Sequence, residues 1–268
     1  VAAVEVQSLR TATEIFFRLR WSDPTKSEDL ELSGQFVDGA ALEFPLVAGS
    51  LPAPMMGEAG QPVNVWRWSA AMAKPDHHAK AYSDYYRPDA IHTTIKYPAQ
   101  PEDLVAEGWG TIGRRERQAV EGGADWKDGT WTGGRRRTLA APGGAAFAGG
   151  TVVPFAVAVW EGGNLERGPN KSFSVWNNLL LDHAAPVPPK NPVERGRRVY
   201  QRYGCGACHG AEAKGGVPNP SSQVDPIPAL DRVAEGFTED EVKKVILEGR
   251  SAVAKDPGGV APRLHMNS

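Results

Sequence analysis

The sequence predicts a mainly β N-terminal domain, an antiparallel β-sandwich, followed by a small all-α domain. Three observations carry that expectation. Short apolar or alternating segments recur from the start of the chain, parted by turn residues, among 30 glycines and 22 prolines in 268 residues. A proline-rich stretch, Ala184 to Pro192, then changes the composition and reads as an extended, semi-rigid linker. Beyond it the apolar residues recur at helical spacing, with helix start and stop signals. The expected organisation is a sandwich over residues 1–183, a linker over 184–192 and a helical domain over 193–268.

Val4 to Arg20 holds two expected strands, the second stopping at the turn signal Ser22-Asp23-Pro24. Asp29 to Phe44 supplies two more around Asp38-Gly39. Val63 to Trp68 alternates, with Val63 and Val65 on one face and Asn64, Trp66 and Trp68 on the other. Ala70 to Pro101 is polar and reads as a long excursion outside the core. Gly108 to Val120 and Trp126 to Leu139 return to strand-like spacing, with Asp128-Gly129 as a turn. Val152 to Trp160 is an apolar strand, and Lys171 to Trp176 alternates again. After the linker, Val193 to Tyr203 is helical. Phe237 to Gly249 is a second helix, with a capping box at Thr238 and Glu241 and a glycine stop.

Composition excludes several classes. Hydrophobic content of 41% with 23% charged residues is that of a globular protein. A net charge of −2 with only short basic runs argues against a nucleic-acid surface. The longest apolar runs are strand-sized, so no transmembrane segment is expected. The opening Val1-Ala2-Ala3-Val4, without methionine, is the start expected of a processed protein.

The only two cysteines stand in Gly204-Cys205-Gly206-Ala207-Cys208-His209-Gly210. Two thiols at Cys-x-x-Cys spacing can add to the two vinyl groups of one haem, and the histidine that follows is then held under the iron. A zinc site needs two further ligands at matching spacing, and no other cysteine exists to supply them. A thioredoxin-like pair belongs after a strand, whereas the preceding residues read as helix. Helix, haem motif, glycine-proline loop, helix and late methionine resemble the order of a class I cytochrome c. The expected centre is one covalent haem c on Cys205 and Cys208, with His209 and Met266 as iron ligands and His265 as the competitor for Met266. Only Asn267 and Ser268 follow Met266, where the class I pattern has a closing helix. Either the sequence stops short of that helix, or the other domain covers the haem edge. The resemblance implies haem attachment outside the cytoplasm, hence a periplasmic protein.

Several pieces of the first domain resemble the haem-binding gamma subunits of the ethylbenzene dehydrogenase group, from molybdenum enzyme complexes of the type II DMSO reductase family. They are Phe16 to Thr25, Met56-Gly57 with Pro62 to Trp68, Asp128 to Trp131, and Phe155 to Gly162 leading to Lys171 to Ser174, in the family's order. The resemblance implies a β-sandwich holding one non-covalent haem b between a methionine and a lysine. Lys171 is the lysine. Met56 fits the family's Met-Gly step, with Met55 as the alternative and Met72 a third choice; His77, His78 and His92 are the fallback ligands. On its own spacing Lys171 shares a strand face with Phe173 and Val175, and follows them inward if they are core. Desolvation would then favour the neutral amine, the form with a lone pair for iron. A solvated lysine at a strand end is the other reading of the same residues.

The clusters Arg114-Arg115-Glu116-Arg117 and Arg135-Arg136-Arg137 are expected on a solvated, salt-bridged face, with haem propionates or an acidic partner as the alternative. No catalytic set stands out. The resemblance implies an electron-transfer subunit working between the catalytic molybdenum and iron–sulfur subunits of its complex and a soluble or membrane cytochrome carrier. The other readings are a single-haem cytochrome fused to a carbohydrate-binding sandwich, with tryptophans as a stacking platform, and a haem-based redox sensor.

Overall fold

The structure, a computed structural model, describes residues 1, 3–29, 34–73, 100–256, 258, 259 and 262. Most of the polar excursion after Ala70, with His77, His78 and His92, lies outside the described residues, as do His265 and Met266. The chain divides into two compact units, Val1–Pro188 and Pro189–Ser268.

The first unit is built of antiparallel strands. In chain order they are β1 (Val4–Arg10), β2 (Glu14–Ser22), β3 (Gly39–Pro45), β4 (Val63–Ser69), β5 (Glu102–Ala106), β6 (Gly113–Arg114), β7 (Glu121–Lys127), β8 (Thr130–Thr138), β9 (Thr151–Trp160), β10 (Ser172–Phe173) and β11 (Asn177–Leu181). One sheet runs β1-β2-β8-β7; the larger runs β10-β9-β3-β4-β5-β6, with β11 also paired to β9. The β7–β8 hairpin turns on Asp128 and Gly129 at φ 49° and 73°, the left-handed pair that a two-residue turn between twisted strands requires. Between Asp29 and Phe44 the described residues form one strand, β3. Gly108 to Val120 forms only the two residues of β6. A further strand, β11, opens on Asn177-Asn178, residues whose type favours turns, and pairs with β9.

Period-two alternation decides what each sheet buries. Ile15, Phe17, Leu19 and Trp21 of β2 face Leu42 and Phe44 of β3, Trp66 and Trp68 of β4, and Val157 and Val159 of β9. Trp131 stacks on Trp21 at 6.2 Å and meets Trp68 edge-on at 5.0 Å. Phe17 meets Trp66 edge-on at 5.7 Å. Asp38 ties this end together: its carboxylate accepts from Ser27 N–H (2.7 Å), Gly162 N–H (2.8 Å) and Trp131 Nε1–H (3.1 Å). The larger sheet is apolar on its other face too. Ala41, Val63, Val65, Leu104, Ala106 and Ala156 form a second cluster there with Trp176. On β4 the tryptophan face is therefore the interior of the sandwich, and the valine face carries the second cluster.

The same alternation overturns the expectation of a solvated arginine face. Only Arg136 of the β8 run points outward, paired with Glu14 and Glu121 at 3.2 and 2.6 Å. Arg135 and Arg137 are 2% and 1% exposed. Arg135 lies over the Trp68 ring. Arg137 lies between the Trp66 and Phe147 rings and donates to the Asn64 side chain and the carbonyls of Ala145 and Thr138. Arg115 is likewise drawn inward, onto the buried Asp103 at 2.9 Å, while Arg114, Glu116 and Arg117 stay exposed.

The second unit is helical: α1 (Pro192–Arg202), α2 (Gly206–His209), α3 (Val233–Gly236) and α4 (Glu239–Glu248). Asn191 caps α1 by accepting from Val193 N–H, with Pro192 opening the first turn. The reciprocal box at α4 forms as its sequence predicts, Thr238 N–H donating to Glu241 at 2.7 Å and Glu241 N–H to Thr238 Oγ1 at 3.4 Å. Neither α1 nor α4 buries a residue, and among the described residues of this unit Ile227 and Pro262 are the buried apolar side chains. Among the described residues no helix is long and apolar enough to cross a membrane.

Burial separates the neighbouring arginines energetically. Arg137→Ala strands the Ala145 carbonyl and opens a cavity between the Trp66 and Phe147 rings, so it should lower stability in urea unfolding by about 3 kcal/mol. Arg136→Ala removes only exposed ion pairs and should cost no more than about 0.5 kcal/mol.

Candidate haem centres

The cysteine motif is held from both sides. Gly204, at φ 68°, turns the chain out of α1, and Cys205 N–H bonds back to the Tyr200 carbonyl at 3.1 Å. His209 N–H then bonds to the Cys205 carbonyl at 3.0 Å, which puts Cys205, Cys208 and His209 on one helical turn. Both thiols are free, and burial pushes their pKa values up, Cys208 also through its neighbour Cys205. A disulfide-exchange pair needs the opposite, a depressed thiol.

The His209 ring is oriented by its own loop. Its Nδ1 lies 3.0 Å from the Pro228 carbonyl. A carbonyl can only accept, so Nδ1 carries the proton, and in the neutral ring Nε2 then has the lone pair, the arrangement that a metal-ligating histidine requires. Pro228 is brought there by a short ladder: Gly215 N–H to the His209 carbonyl at 2.7 Å, Gly216 N–H to that of Ile227 at 2.9 Å, and Leu230 N–H to that of Ala213 at 2.7 Å. Gly215 has φ 68°, and a Cβ there would lie 2.5 Å from Ala229 N and 2.6 Å from the Ile227 carbonyl. Only glycine fits. The residues suit a haem in a further respect. α1 and α4 expose Val193, Val199, Ile246 and Leu247, so the described residues make almost no core for this unit, and a large flat apolar group fits that need.

The second candidate centre lies on the outer face of the larger sheet. Met56, Ala158 and Trp160 pack at the margin of the second cluster, where Ala41, Ala106 and Ala156 give a floor of small side chains. Lys171 lies over the Trp160 ring at 5.5 Å, and that indole is fixed by donating to the Gly168 carbonyl at 3.0 Å. Met56 and Lys171 thus come to one face. Met55 is half-buried but outside the cluster, and Met72 is buried in the interior of the sandwich. The strand argument for Lys171 fails: β10 has two residues and Phe173 is 45% exposed, so Trp160, not a shared core face, half-buries the lysine. Burial lowers the Lys171 pKa, against the attraction of Glu43, which favours the neutral amine that iron needs.

Glu43 is the residue that the sequence reading missed. It sits on β3 between Leu42 and Phe44, where alternation marks it as outward and hence solvated. The outward face is the second cluster. Burial raises its pKa to about 7, opposed by the Met56 N–H, which its Oε2 accepts at 3.3 Å, and by the charge of Lys171. A thioether, a lysine biased towards its neutral form and an alanine floor on one face fit a ligated, non-covalent haem.

Comparison with known proteins gives two family matches. Residues 1–172 match the family described as ethylbenzene dehydrogenase, and residues 193–267 match cytochrome c. The protein named "Putative respiratory nitrate reductase heme subunit ORF7" of Haloferax mediterranei is 31% identical over 195 residues, covering 72% of this chain and 61% of that protein. The chlorate reductase subunit gamma of Ideonella dechloratans is 29% identical over 176 residues (63% and 60%). The dimethylsulfide dehydrogenase subunit gamma of Rhodovulum sulfidophilum is 30% identical over 193 residues (68% and 62%). The matches thus span 60% to 62% of the length of these relatives.

The Gly215 contact can be tested directly. Gly215→Ala places a Cβ against two backbone atoms at positive φ, so it should cost the second unit about 2 kcal/mol or more and lower the yield of covalent haem. Unfolding of the purified variant and haem staining after denaturing electrophoresis measure the two effects.

Proposed function

This chain belongs to the ethylbenzene dehydrogenase family, with a cytochrome c domain behind the family domain, and from that premise we propose that it is a dihaem electron-transfer subunit. It relays electrons between the iron–sulfur subunit of a periplasmic molybdenum enzyme and an external cytochrome or quinol-oxidising carrier. The catalytic molybdenum subunit and the iron–sulfur subunit are its partners in the complex. Residues 1–183 hold haem b, residues 193–268 hold haem c, and the proline-rich 184–192 joins them.

The observation that carries the proposal is that each unit gathers its own group of side chains able to ligate iron. His209 keeps Nε2 free through the Pro228 carbonyl, beside two free thiols that would attach a haem; Met266 is proposed as the second ligand of that iron. Met56 and Lys171 both stand at the margin of the second cluster, on the outer face of the larger sheet, and would ligate the other. Bound haem supplies reversible one-electron chemistry at each centre. The chain's own part is to orient the ligands, exclude water from the alanine floor and bias Lys171 towards its neutral amine, all of which tune a redox potential. The relatives bear the names of nitrate reductase, chlorate reductase and dimethylsulfide dehydrogenase subunits, which supports a place beside a catalytic subunit.

The carbohydrate-binding reading loses most of its platform, since only Trp109 is an exposed tryptophan and Trp126 and Trp160 are half-buried. Trp21, Trp66, Trp68, Trp131 and Trp176 are all buried and cannot stack on a sugar.

Lys171→Ala tests the b-type assignment in the intact chain. The pyridine haemochrome of the unaltered protein should show equal amounts of haem b and haem c. The variant should lose most of its haem b, or shift its spectrum, while haem c stays at one per chain. Unchanged haem b in the variant would refute the lysine as ligand.

A further inference from the structure

A carboxylate in an apolar cluster needs a reason, because desolvating it is costly unless its oxygens are used. Glu43 is such a group. Its cross-strand neighbours are Val65 and Ala156, both members of the second cluster. One oxygen, Oε2, accepts the Met56 N–H at 3.3 Å; the other, Oε1, is shielded from solvent and has no hydrogen-bond partner.

The residue it holds is itself unusual. Met56 has φ 78°, in the left-handed region that a methionine rarely enters, and such a conformation persists only where its surroundings enforce it. Two contacts enforce it here. Glu43 takes the Met56 N–H, and Gly108 N–H donates to the Met56 carbonyl at 2.8 Å. The next residue, Gly57, continues the turn at φ 72°, where a Cβ would meet the Gln61 carbonyl at 2.8 Å. Released from this clamp, the Met56 backbone would relax and its thioether would leave the face that it shares with Lys171.

We propose that Glu43 is the positioning residue of the b-type centre, its carboxylate oxygen fixing the Met56 backbone so that the thioether faces the same side of the sheet as the Lys171 amine. The inference rests on the reading of Met56 and Lys171 as ligands. It assigns the work to the reach of an acceptor oxygen, which separates it from a role of negative charge alone.

Two conservative variants of the full chain divide these roles. Glu43→Gln keeps an acceptor oxygen at the same reach and removes the charge. Glu43→Asp keeps the charge and withdraws the oxygen by one methylene. The readouts are haem b per haem c and the near-infrared methionine-to-iron charge-transfer band of the oxidised b haem, with haem c as internal standard. The methionine band of haem c is subtracted using a variant in which Met266→His removes it. Glu43→Gln should keep both readouts near the unaltered protein, whereas Glu43→Asp should lose the band and weaken haem b retention about tenfold, as loss of a ligand's supporting contact does. Any other pairing of results overturns the proposal. Failure of the underlying reading shows differently: the b haem of the unaltered protein would lack the methionine band, or Met56→Ala would leave it intact.

Discussion

A strand presents alternate side chains to opposite faces, and in the larger sheet of this protein both faces are apolar. That double burial is the constraint on which the first unit depends. The inner face closes against the smaller sheet through Trp21, Trp66, Trp68 and Trp131, so the sandwich is complete without the outer face. The outer face then carries a second, separate cluster. Its floor is alanine and valine, and at its margin stand a methionine, a lysine and a glutamate, residues that an apolar surface would not carry without a use.

The second unit solves the opposite problem. Its helices are well capped and its motif is tied down by backbone bonds, yet the polypeptide gathers almost no apolar core of its own among the described residues. Local hydrogen bonding sets the positions of Cys205, Cys208 and His209; a covalent group fits as the element around which the rest packs. The proposed division of labour follows from this contrast. One unit has a finished core and a second cluster on a separate face, and the other is proposed to complete its interior with a covalent haem.

Legibility in the sequence followed the range of the signal. The capping box at Thr238 and Glu241, the Asp128-Gly129 hairpin and the alternation of Val63 to Trp68 are written in a few adjacent residues, and each forms as read. What alternation does not say is which face is inside. Arg135 and Arg137 looked solvated because arginine runs usually are, but β8 pairs with β2 in a register that turns them onto rings of the interior. Glu43 failed for the same reason in reverse: its outward face is not water. The haem-attachment motif was legible because its chemistry is local. Met56 and Lys171 are separated by more than a hundred positions, and only family resemblance brought them together before the fold did.

The central claim is two haems of different attachment in one chain, and an optical redox titration of the intact protein tests it most directly. The account predicts two one-electron components of equal amplitude with distinct spectra, one of which disappears when acidified acetone extracts the non-covalent haem. A single component that survives extraction unchanged would contradict it.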